Sequence, residues 1–98
     1  MSKFGELIDV EVPVLFDFYA ESDAPSMAMH DALRDVAAIM GDKAKVIKID
    51  VDKNQELAEA LRIKELPTFI VYKDSEMKWR QSGTQNADQL IAVIENYV

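Results

Sequence analysis

The chain has 98 residues, 49% of them apolar and 30% charged, which suits one small ordered domain and excludes a linker or a disordered segment. Its formal net charge of −7 disfavours nucleic-acid and anionic-membrane binding, since both need a basic face. No apolar run reaches membrane-spanning length, and Met1 to Glu6 lacks a secretory core, so a cytoplasmic setting is expected. With no cysteine and one histidine, neither a transition-metal site nor a cofactor is expected.

In chain order, Ser2 to Asp9 can supply a short helix. Val14 to Tyr19 and Val46 to Val51 are rich in β-branched and aromatic residues and read as central buried strands. Between them Met29, Leu33, Val36, Ala37 and Met40 recur at helical spacing, with Gly41 as a stop. Carried back one turn, the same stripe places Ser26 inward and Asp23 at the helix start. Asn54 caps a short helix to Leu61, with Leu57 and Leu61 facing in. Thr68–Tyr72 and Glu76–Gln81 flank a polar turn at Lys73 to Ser75, a hairpin whose alternating second strand suits a sheet edge. Asn86 and Gln89 open the last helix as a capping box, and Leu90, Ile91, Ile94 and Tyr97 form its buried side.

The residues themselves suggest few catalysts. Asp23 reads as a helix cap, and Pro25 is tolerated in a first turn where its missing N–H costs nothing. Ser26 and His30 lie one turn apart on one helix face, so a Ser26/His30/Asp17 triad is the sharpest enzymatic idea; a triad is defined by geometry, not inventory. Asp50 to Asn54 opens like a calcium loop, but Gln55 and Leu61 occupy the places that need glycine and glutamate.

Asp17-Phe18-Tyr19-Ala20 followed by Ser22-Asp23-Ala24-Pro25-Ser26, together with Leu66-Pro67-Thr68, resembles the active-site region of the thioredoxin family. The resemblance runs from Pro13 to Val98 and implies a single α/β domain with the thioredoxin fold, a mixed sheet of about four strands flanked by helices. The family's usual leading strand has little sequence to form it and is left open. Asp23 and Ser26 stand where the attacking and resolving cysteines belong, with Ala24 and Pro25 between them. Asp17 matches the family's buried acid and Lys48 its partner lysine; buried in an apolar strand, Asp17 should have a raised pKa and bond to water or to Lys48. Pro67 matches the family's cis-proline, and Gly83-Thr84 the small residues across the groove. Asp31 replaces a helix-kinking proline, which implies a straighter long helix.

Thiol–disulfide exchange needs a thiolate, which neither a carboxylate nor a hydroxyl replaces. The expectation is therefore a redox-inactive thioredoxin-like protein. Its groove would be formed by Ser22, Met27, Leu66, Pro67, Thr68, Gly83 and Thr84, and its partner would be a protein or extended peptide. The alternatives are non-thiol chemistry at Asp23, Ser26 and His30, or an altered form of a disulfide oxidoreductase. The sequence is silent on oligomeric state.

Overall fold

The computed structural model describes residues 3–98; of the helix expected from Ser2 to Asp9, Ser2 lies outside that range. The helix itself is α1 (Lys3–Ile8), followed by β1 (Val14–Tyr19), α2 (Ala24–Ala28), α3 (His30–Met40), a 3-10 turn, β2 (Lys45–Asp50), α4 (Gln55–Ala60), β3 (Thr68–Lys73), β4 (Glu76–Ser82) and α5 (Ala87–Glu95). The strands form one sheet in the order β2-β1-β3-β4, with β1 parallel to β2 and the other pairs antiparallel. Among the described residues no strand precedes β1, and no helix is long and apolar enough to cross a membrane.

Alternation along β1 sends its side chains to two cores. Leu15 packs with Leu33, Val36, Phe69, Val71, Leu90 and Ile94 beneath α3 and α5. Val14, Phe16 and Phe18 pack with Ile49, Ile70 and Tyr72 beneath α1 and α4, where Phe4 meets Phe16 at 4.9 Å between ring centroids. Such a strand reads as nearly continuous apolar sequence because both faces are covered.

Three expectations need correcting. β2 is an edge strand, half-exposed over Val46 and Ile47, because nothing described pairs with its outer side. The long helix is not continuous: the amide of Met29 donates to the Ser26 carbonyl at 3.1 Å, a tighter turn that separates α2 from α3. Losing a proline ring at position 31 does not restore the ladder, since the break is an i→i−3 closure upstream of that residue. Asn54 sits at the start of α4 but makes no side-chain cap; its amide instead donates back to the Asp50 carbonyl at 2.9 Å.

The other ends follow their local chemistry. The hairpin turn is Asp74-Ser75, with φ of 51° and 66°, the two left-handed residues of a type I′ connection; Lys73 belongs to β3. The Asn86/Gln89 box forms with both bonds present, at 2.8 and 3.0 Å. At the end of α4 the amides of Arg62 and Ile63 return to Glu59 and Ala58, a Schellman closure. Its left-handed residue is Arg62, at φ 55°, where glycine is usual. Arg80 of β4 reaches across to this turn and donates to the carbonyls of Leu61 and Arg62. Its guanidinium satisfies two helix-end acceptors and complements the negative end of the dipole.

Arg80→Ala should therefore destabilise the fold by about 1.5–3 kcal/mol, the range for hydrogen bonds to a charged group. Urea unfolding measures this, and an unchanged midpoint would show that the turn holds without it.

Candidate functional site

The site is built where β1 ends. Phe18 pairs with Thr68 at the start of β3, and Thr68 with Ser82 at the end of β4. The segments after β1, before β3 and after β4 therefore leave the sheet at one end. The first carries Ser22 to Met27, the second Leu66 and Pro67, and the third Gly83 and Thr84.

Asp23 caps α2 with one oxygen. Its Oδ2 accepts from the Ser26 amide at 3.0 Å and from the Ser26 hydroxyl at 2.7 Å. Ser26 is fully buried, as its place on the helical stripe predicts. The pair thus closes on itself: the hydroxyl that a nucleophile would need to activate is already donating to a carboxylate beside it. His30 is not within this network. Its Nε2 is buried without a partner among the described residues, and its ring stands edge-on to Tyr19 at 5.1 Å. Burial first, and then the positive charge of Lys48, hold its pKa below the usual 6.5. No hydrogen bond links Ser26, His30 and Asp17, so the triad does not form.

Asp17 lies in the centre of β1 on the side of Leu15, facing α2 and α3. It is fully buried, and neither carboxylate oxygen has a hydrogen-bond partner among the described residues. The expected bond to Lys48 is absent. Lys48 is its register partner on β2, but that side chain is exposed at the sheet edge and acts on the carboxylate only through its charge. Desolvation raises the Asp17 pKa to about 7, and the Lys48 charge opposes it.

The Leu66–Pro67 peptide is cis. Pro67 is buried and its carbonyl accepts from the Gly83 amide at 2.8 Å, so these two segments are tied together. Gly83 holds a φ of 93°, a conformation that a side chain would strain. Leu66 is half-buried, and its own N–H and C=O make no hydrogen bond with the described residues. Met27 is exposed, as are Ser22, Ala24, Pro25 and Thr84. Thr68 does not line the groove: it is fully buried, donating to the Glu65 carbonyl at 2.6 Å and sharing a bond with the Ser82 hydroxyl. Arg80 is the residue that sequence reading passes over. It anchors the start of the segment leading to Leu66-Pro67 from another strand, a contact with no local signature.

The family profile for thioredoxin matches residues 1–96. The chain belongs to the thioredoxin family. A thioredoxin-like protein of Synechocystis is 36% identical over 86 residues, covering 88% of this chain and 82% of its own length. The chloroplastic thioredoxin Y of rice is 42% identical over 96 residues, covering 97% of this chain and 57% of its own length. The chain thus spans little more than half of the chloroplastic thioredoxins that it matches. Among solved structures, a variant thioredoxin from Halobacterium salinarum superposes with a TM-score of 0.88 at 32% identity, covering 99% of this chain and 84% of that one. The thioredoxin fold is therefore shown, and the chain contains no cysteine.

Asp17 generates a pH prediction. Its folded pKa, about 7, lies above the ordinary value of 3.8. The folded state therefore binds the proton more tightly. Its contribution to stability is present in full below the unfolded value and is lost as pH rises through the folded one. The whole window corresponds to a loss on the order of 4 kcal/mol. Asp17→Asn does not titrate, so its stability relative to the parent should grow from pH 4 towards pH 8, which are about the ends of that window. Urea unfolding at several pH values reads the difference, and a gap independent of pH would contradict the assignment.

Proposed function

We propose that this thioredoxin-family domain is redox-inactive and works as a binding or adaptor module. The observation that carries the reading is the Asp23–Ser26 pair, hydrogen-bonded to itself at the two positions where the family's chemistry needs sulfur. A cysteine-free chain offers no thiolate to attack a disulfide. The surrounding frame is intact in the features that a peptide would touch. Met27 offers adaptable apolar surface, and Leu66 adds an apolar side chain and main-chain groups free to pair with an extended chain. Thr68 is outside this surface, and Pro67 contributes its ring but not its carbonyl. The cytoplasmic setting belongs to the proposal; the plant relatives bear chloroplastic names, and a plastid-type compartment is equally compatible with the reading.

Two measurements test it. Purified protein with dithiothreitol should reduce a protein disulfide no faster than dithiothreitol alone, and acceleration that scales with protein would overturn redox inactivity. For the groove, proteins retained from a cell extract by the immobilised chain should be lost on Met27→Asp and on Leu66→Asp. Each variant places a charge where a partner must desolvate it, a cost of at least about 2 kcal/mol, or roughly thirtyfold in affinity. Circular dichroism should show both variants folded. Retention that survives both changes but is lost on Ile39→Asp, at an exposed position near the far end of α3, would move the functional surface elsewhere.

A further inference from the structure

Carboxylates outnumber cations around Leu66. Phe18 stands opposite Thr68, and the same antiparallel register carried two residues further sets Ala20 opposite Leu66. The Asp23 amide donates to the Ala20 carbonyl at 3.1 Å, so the turn from Ala20 to Asp23 folds back beside that level. Glu21 lies within the turn and is exposed. Glu65, next to Leu66 in the chain, is also exposed, and its carbonyl is held by the Thr68 hydroxyl at 2.6 Å. The segments 20–29, 63–67 and 83–86 thus bring three carboxylates, Glu21, Asp23 and Glu65, against one cation, Lys64. None of the four makes an ion pair with a described residue.

Asp23 uses only one oxygen on its helix. Oδ2 takes both bonds from Ser26, while Oδ1 has no described partner and is open to solvent. That oxygen is an acceptor near the unpaired N–H and C=O of Leu66. Among the described residues no group of three acidic or histidine side chains converges to hold a metal ion. Carboxylates set on both sides of Leu66 suit charges carried along a chain rather than one small cation.

We propose that the groove selects a basic partner: an extended polypeptide segment that combines apolar side chains with lysine or arginine, one cationic group seated on Asp23 Oδ1. The proposal rests on the binding-module reading above and names the chemistry of its partner. One residue of the segment exchanges main-chain bonds with Leu66. Its apolar side chains meet Met27 and Leu66, and its cations meet Asp23, Glu21 and Glu65 in charge-assisted contacts. An acidic segment is repelled from both sides. A second copy, of net charge −7, is the wrong occupant for the same reason.

The test uses the full chain and three acetylated heptapeptides in which valine alternates with lysine, serine or glutamate. In NMR titrations at low ionic strength the lysine peptide should shift the amides of Asp23, Ala24 and Leu66, and added salt should weaken it. The serine peptide should bind there at least about tenfold more weakly, and the glutamate peptide should not bind. Asp23→Asn keeps a capping side chain and removes the charge, so it should weaken the lysine peptide roughly tenfold and leave the serine peptide unchanged. If that variant does not fold, Glu21→Gln with Glu65→Gln spares the cap and should weaken the lysine peptide several-fold. Equal binding of the lysine and serine peptides in the groove would overturn the proposed selectivity and leave the binding-module reading standing. No shift at Leu66 with any of the three would overturn both. Lysine-peptide shifts centred away from Leu66, or undiminished binding to Asp23→Asn, would also overturn the proposal.

Discussion

The constraint on which the structure depends is the two-sided burial of β1. Val14 to Tyr19 pair with β2 on one side, Val14 to Phe18 pair with β3 on the other, and the apolar residues among them fill both cores. Its neighbours take their registers from it, and its C-terminal end fixes where the segments of the candidate site emerge. Asp17 sits in the middle of this strand with no hydrogen bond among the described residues, against the rule that buried polar groups are paired. A protonated carboxyl is far less costly in that position than a charged one, and its raised pKa follows from this. An otherwise apolar strand thus carries one residue that weakens the fold at neutral pH.

The site at the end of β1 is held together without sulfur. Asp23 fulfils the capping role that a helix start favours, and Ser26 fills the inward position of the first turn with a satisfied hydroxyl. Together they form a local hydrogen-bond loop that contains no sulfur. Beside them lie the cis Leu66–Pro67 peptide, the tie from Gly83 to Pro67, and the buried acid Asp17. The same domain also presents an open strand edge on the opposite flank of the sheet from β4.

Much of this was legible in the residues because local chemistry decides it. The apolar run of β1, the inward stripe of Ser26, Met29, Leu33, Val36 and Met40 (Ala37, expected in it, is exposed) and the Asn86/Gln89 box are each set by neighbours a few positions away. What was not legible depends on partners distant in sequence. Val46 to Val51 has the composition of a central strand, yet composition cannot say that a neighbour is missing. Asn54 has a capping side chain, but the carbonyl of Asp50 competes for it successfully. Thr68 sits beside Pro67 in sequence, and strand pairing alone turns its hydroxyl inward to Glu65 and Ser82. Lys48 matches a partner lysine in register, but side-chain direction at an exposed edge leaves Asp17 unbonded. Arg80 lies 18 residues from the carbonyl of Arg62 that it holds, a contact that only the fold reveals.

If the domain lacks sulfur and little else, cysteine placed at both proposed positions, Asp23→Cys with Ser26→Cys, should make it active in the reduction of a protein disulfide by dithiothreitol. The cis-proline segment, the buried Asp17 and the inward first turn of α2 are in place, so the double variant should accelerate the reduction in proportion to its concentration, and only with both cysteines present. A folded double variant with no activity would show that the site has departed from the thioredoxin arrangement in more than two side chains, and the account would be wrong.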